Sequence, residues 1–257
     1  MMRPGIRQRG LALAEWTLAA LLGVFMLAAA MAWLQSSLQM ARSQRLPLQM
    51  AAEAVWLLKR LELAALLAGQ GGLPPLGEGD ARLQDWRVSD GSGPGSPASD
   101  QLVLRRVLAA DSLDCEGRRL TAGSELVERY FLRADSAASG LVLACDAGSC
   151  DAGGCHDLGD AGAALLSEVD SLQLLYGIGG ADAQAPPRYV DASVLRTMTA
   201  PAMLRSLRVG LLLRSRELRH RDGRWAVPAD WPGPAVQPAP DHHARAIWQM
   251  TMAVPHG

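Results

Sequence analysis

Apolar residues run almost without interruption from Leu11 to Leu34, where only Glu15, Thr17 and a few small residues break the pattern. A helix of about 24 residues rising about 1.5 Å each covers the roughly 30 Å hydrocarbon core of a bilayer. Arg3, Arg7 and Arg9 precede it, and arginines on that side place the N-terminal end in the cytoplasm and the rest of the chain outside. Glu15 asks for a role, because an ionisable side chain within a bilayer is costly and usually has a partner. From Ser36 to Ala68 the period changes: Leu46, Met50, Ala54, Leu57, Leu58, Leu61, Ala65 and Ala68 recur in steps of three and four, one face of a helix that should lie on a sheet. Pro47 removes one amide donor and should kink or break that helix. Gly69, Gly71 and Gly72, followed by Pro74 and Pro75, end it.

The period shortens again beyond a stretch, residues 69–100, rich in Gly, Pro, Ser and Asp, with a loop at Gly91-Ser92-Gly93-Pro94-Gly95-Ser96-Pro97. Gln101–Ala109, Glu125–Arg133, Gly140–Cys145, Val169–Tyr176, Met203–Arg216 and Ala246–Val254 read as strands, most clearly where Leu207, Val209, Leu211 and Leu213 alternate. Short strands separated by turn residues predict an antiparallel sheet and an α+β head, with the helix laid across it. The expected organisation is a segment 1–10, a membrane helix 11–34, an amphipathic helix 35–68 and a β-rich head 69–257.

Composition adds limits. With 257 residues and 49% hydrophobic content the chain has room for one folded domain and an anchor, and a net charge of -1 gives it no electrostatic reason to seek nucleic acid or an acidic substrate. Lys59 is its single lysine. Cys115, Cys145, Cys150 and Cys155 all lie in the part that would be exported, where an even number suits disulfides. A metal set of Cys145, Cys150, Cys155 and His156 is the rival, though its spacing is not that of a zinc knuckle. His242-His243 reads as loop, and Arg214 to Arg224 as a solvated hairpin end rather than a nucleic-acid surface. Trp225, Trp231 and Trp248 are expected to pack. Gly177-Ile178-Gly179-Gly180 lacks the strand-to-helix context of a nucleotide loop, and no pattern of a known catalytic site stands out. No enzyme activity and no cofactor are expected.

Gly10-Leu11-Ala12-Leu13-Ala14-Glu15 resembles the type III signal of prepilins, with Leu11 in place of the usual phenylalanine and Ala12 in place of serine or threonine. The resemblance implies a ten-residue leader, cleavage by prepilin peptidase after Gly10, N-methylation of Leu11, and Glu15 as the assembly residue, its carboxylate pairing with the new amino group of a neighbouring subunit. An ordinary secretory signal, cut at Ala28-Ala29-Ala30 or Ala30-Met31-Ala32, and a plain single-pass anchor are the competing readings.

Four further stretches are similar to the PilW family of type IV pilus minor pilins, relatives of the J-type pseudopilins of type II secretion. They are Ser99-Asp100-Gln101-Leu102-Val103-Leu104-Arg105, then Asp114-Cys115-Glu116-Gly117, then Glu168 to Gly177 followed by Arg188-Tyr189-Val190-Asp191-Ala192, and lastly Leu207 to Ser215. The acidic residues the family carries before its "RYVDA" stretch are reduced to Asp182, and its arginine-rich C-terminus is replaced by Val254-Pro255-His256-Gly257. The resemblance implies a pilin-like fold and a structural role in pilus assembly or priming. The implied partners are other minor pilins, the major pilin, the peptidase and the inner-membrane assembly platform. The implied location is the inner membrane, single-pass with a periplasmic head, then the pilus. It also implies a Cys115–Cys145 disulfide closing a loop of about 30 residues, worth on the order of 3 kcal/mol, and leaves Cys150 and Cys155 for a second, local bridge. A J-type pseudopilin is the alternative within the class; an exported binding protein or adhesin is the alternative outside it.

Overall fold

The computed structural model describes residues 9–70, 99–136, 140–151, 154–179, 187–191, 194–195, 203–218, 231 and 243–254. The chain forms two compact units, Met1–Gln49 and Met50–Gly257. A single helix, α1 (Arg9–Gln70), contributes to both. It runs through Pro47, so the expected break there does not occur. One proline removes one intrahelical hydrogen bond, a local cost of about 3 kcal/mol, and the buried turns that follow hold the helix in spite of it.

In the first unit, Leu13–Ala41 is long and apolar enough to cross a membrane and none of it is buried. Its large side chains, Trp16, Phe25 and Trp33 among them, point into the surroundings. The hydroxyl of Thr17 donates to the carbonyl of Ala14 at 2.9 Å, which satisfies this polar group within the helix itself.

In the second unit α1 buries the face read from its spacing. Met50, Ala54, Leu57, Leu58, Leu61, Ala65 and Ala68 are all buried, and Ala64 joins them. Leucines 57 and 61 are completely covered, each worth about 1.5–3 kcal/mol relative to exposure. Lys59 lies on the outer side of the helix, bonded to Glu62 at 2.7 Å.

The described strands are β1 (Leu102–Val107), β2 (Ser112–Leu113), β3 (Arg119–Leu120), β4 (Glu125–Ala134), β5 (Leu141–Asp151), β6 (Gly154–His156), β7 (Ala163–Ser167), β8 (Val169–Gly179), β9 (Arg188–Val190), β10 (Met203–Leu218) and β11 (His243–Ala253). All pairings among them are antiparallel. The expected sheet is in fact divided. One sheet has the order β1-β4-β5-β6 with β7 also on β5, the other runs β11-β10-β8-β9, and β2 and β3 form a separate ribbon.

The division happens at one residue. Ser167 ends β7 against Val142 of β5, Glu168 takes φ 61, and Val169 begins β8 against Leu213 of β10. A left-handed residue between two strands turns the chain from one sheet to the other. At the head's start Ser99 and Asp100 tie the lead-in of β1 to β8: Asp100 donates its amide to the Leu172 carbonyl at 2.8 Å, and its carboxylate accepts the Leu174 amide at 2.8 Å.

The inner faces of both sheets meet α1 in one core, where Leu207, Val209, Leu211 and Leu213 of β10 join Leu172, Leu174 and Tyr176 of β8 and Leu126, Tyr130 and Leu132 of β4. Leu212 points the other way and packs with Trp231 and Ile247. Trp248 is partly buried against the main core, while Trp225, and residues 71–98 with the glycine-rich loop, lie outside the described residues.

Candidate assembly site and the cystine junction

Glu15 stands in the exposed part of α1 as the one charged side chain between Leu13 and Leu34. Its neighbours one turn on are Leu18 and Ala19, so helical geometry gives it no basic residue to pair with along its own face. Gly10 and Leu11 fall within the helix, but their surroundings lie outside the described residues.

Cys115 is joined to Cys145, with Cα atoms 6.1 Å apart. The turn carrying Cys115 is built by Asp114, whose Oδ1 accepts the amides of Glu116 and Arg118 at 2.9 and 2.8 Å, and Gly117 adopts φ 86, a conformation that favours glycine. Arg118 then fastens the turn to β5: its guanidinium binds Asp114, Glu116 and the carbonyl of Ala147. Cys150 is disulfide-bonded as well, and Cys155 faces it across the β5–β6 pair; the side chain of Cys155 lies outside the described residues. The thiols needed for the rival metal set are thus consumed in disulfides at Cys145 and Cys150. His242 is outside the described residues, and His243 uses its Nδ1 on the Ser215 carbonyl at 2.7 Å.

Two groups of buried charge escaped the sequence reading. In the first, Glu128 on β4 is buried with Tyr130 beside α1. Burial pushes its carboxyl above the usual carboxylate range, against the pull of Arg106 and Arg60. Burial, reinforced by the charge of Glu128, likewise raises the Tyr130 phenol. In the second, Arg245 Nε meets Asp170 at 2.6 Å, Arg214 Nε lies 3.8 Å from the same carboxylate, and Arg214 Nη2 binds Glu168 at 2.8 Å. Arg214 therefore opens the expected solvated arginine run from the inside of the fold. The signal that would have found the first was a charged residue in a strand where neighbours two apart are apolar, as Glu128 is between Leu126 and Tyr130; Asp170, Arg214 and Arg245 each have a polar or charged residue two positions away and gave no such signal.

A groove of about 480 Å³ lies between α1 and β7, lined by Ala52, Glu53, Trp56, Ala164, Leu165, Leu166, Ser167 and Arg216. Arg216 is held across it by the Ser167 hydroxyl at 2.6 Å. Among the described residues no cluster of three His, Cys, Asp or Glu side chains is placed to hold a metal.

No curated protein matches the chain. Among solved structures it is similar to the Type IV-like pilin TTHA1219 from Thermus thermophilus, at 15% identity and a TM-score of 0.44, over 80% of this chain and 97% of that one. An exposed apolar helix of membrane-spanning length fits a membrane-anchored pilus component. The family resemblance read from the sequence is borne out from the middle of β4 to the end of β11: residues 129–255 match the PilW family, Type IV Pilus-assembly protein W.

Proposed function

We propose that this chain is a minor pilin of the type IV pilus, a structural subunit that primes assembly or sits at the tip. In this reading residues 1–10 are a leader removed by prepilin peptidase after Gly10, Leu11 becomes the N-methylated first residue, 11–34 span the inner membrane, and 35–68 form the spine. The head, 69–257, is periplasmic. The observation that carries the reading is Glu15: the one charged side chain in the exposed, largely apolar stretch of α1 from Leu13 to Leu34, on a chain whose head matches a pilus-assembly family over residues 129–255. Glu15, near the start of the 11–34 span, bears part of the about 2.5–3.5 kcal/mol that an acidic side chain costs at the centre of a membrane helix. Pairing with the α-ammonium of a neighbouring subunit removes most of that cost for both charges, so docking is favoured over remaining alone in lipid. The partners are then other minor pilins, the major pilin and the assembly platform. Cys150 and Cys155, opposite one another in register, close the second bridge of the head.

The test is Glu15→Ala in the full chain, with co-purification of the other pilins and N-terminal sequencing of the product. The expected outcome is a chain that begins at methylated Leu11, stays in the membrane and no longer co-purifies with its partners. Undiminished co-assembly refutes the role of Glu15; a wild-type chain beginning after Ala30 or Ala32 refutes the pilin reading itself.

A further inference from the structure

The peptide groups of Cys115 are gripped from two sides. Its carbonyl accepts a hydrogen bond from Arg60 Nη2 of α1 at 3.3 Å, and its amide donates to the carboxylate of Glu128 on β4. Its sulfur is joined to Cys145 of β5. Arg60 also hydrogen bonds to the Tyr130 hydroxyl. Leu57 and Leu61, on either side of Arg60, are fully buried in the core that holds both half-cystines. The turn bearing Cys115 thus touches α1 through Arg60, β4 through Glu128 and β5 through the disulfide.

We propose that seating of α1 residues 50–68 on the head and closure of the Cys115–Cys145 bridge are a single coupled event, with Arg60 and Glu128 as the positioning residues. A seated helix brings Arg60 to the Cys115 carbonyl and fixes that turn over Cys145, which raises the effective concentration of one sulfur at the other. A closed bridge in turn holds the carbonyl where Arg60 finds it. Coupling of this kind is reciprocal: whatever factor the helix adds to closure, closure adds to seating. The chemistry is thiol–disulfide exchange with oxidised glutathione. The Cys115 and Cys145 thiols give up two protons and two electrons to form one S–S bond, and two molecules of reduced glutathione leave. The fold is therefore a redox-sensitive device in which an oxidising compartment tightens the helix onto the head and a reducing one loosens it.

The experiment uses the full chain in detergent, equilibrated with mixtures of reduced and oxidised glutathione, alkylated and read peptide by peptide so that Cys115–Cys145 is followed apart from Cys150. Arg60→Met, which keeps the apolar stem, should lower the equilibrium constant for closure about tenfold, the loss expected for a partly buried hydrogen bond from a charged donor. Arg60→Lys, which keeps charge and length, should lower it less and safeguards the test if the methionine variant fails to fold. Hydrogen exchange of amides 50–68 gives the second readout. Arg60→Met should speed it about tenfold with the bridge present and leave it unchanged in a Cys115→Ala/Cys145→Ala background. A closure constant within about twofold of wild type in both Arg60 variants overturns the proposal. So does an equal effect of Arg60→Met on exchange in both backgrounds, the mark of a merely structural arginine. Neither readout involves filament assembly, so this coupling and the pilin reading fail separately.

Discussion

Replacing Asp170 by asparagine tests how much of the head depends on buried charge. The Asp170 carboxylate lies 2.6 Å from Arg245 Nε and 3.8 Å from Arg214 Nε, with the side chains of Asp170, Arg245 and Arg214 8%, 5% and 14% exposed. Asparagine keeps the shape and one acceptor oxygen but removes the charge, leaving Glu168 to balance two guanidinium groups across β8, β10 and β11. Breaking a buried pair from one side costs about 3–5 kcal/mol, because the remaining charge stays out of water. At about 2–4 °C per kcal/mol for a domain of roughly 200 residues, the melting temperature should fall by about 10 °C. The assay is thermal unfolding of the full chain in detergent, followed by near-ultraviolet circular dichroism. Asp170→Leu combined with Arg245→Met removes a balanced pair, fills the space with apolar atoms, and should recover most of the loss. A cost below about 1 kcal/mol for Asp170→Asn would show the network to be solvated, contrary to its burial.

Other outcomes follow from the same geometry. Gly162 has φ 62, and a Cβ there would sit 2.5 Å from the Cys145 carbonyl oxygen, so Gly162→Ala should cost about 2–3 kcal/mol in denaturant titration. Gly117→Ala, at φ 86 with open space around it, should cost only about 1–2 kcal/mol, and equal losses would mean that the clash is not real. The raised pKa of Glu128 means that the folded chain holds a proton there to higher pH than the unfolded chain. The folded state binds more protons in the window from the ordinary carboxylate value up to the raised one, so stability falls as pH increases through it. Glu128→Gln should flatten that slope, measured from denaturant midpoints between about pH 4 and 8; an unchanged slope assigns it to another group.

The helix and the longest strands were legible because their burial is periodic. Every apolar position read on the docked face of α1 whose side chain the structure describes is buried, and each expected strand overlaps an observed one. What was not legible depended on events at single residues. Glu168 has a side chain unremarkable for a strand, yet its left-handed backbone ends one sheet and starts another. Strands such as β2, β3 and β6 are two or three residues long, too short to carry a period. Pro47 follows the reverse logic: a strong local signal for a break lost to the burial of the turns after it. Glu15 was conspicuous in the sequence because a charge stands out in an apolar run, whereas Arg60 and Glu128, beside other charged residues, did not.

The helix that carries the apolar stretch also supplies part of the head's interior, since among the described residues its buried side chains begin at Met50. Designing a water-soluble fragment therefore leaves one permissible place to cut, upstream of that methionine. A protease acting there would release a head with its interior complete, whereas one acting past Ala68 would strip away the lining that Leu57 and Leu61 provide and leave an open trough prone to clumping.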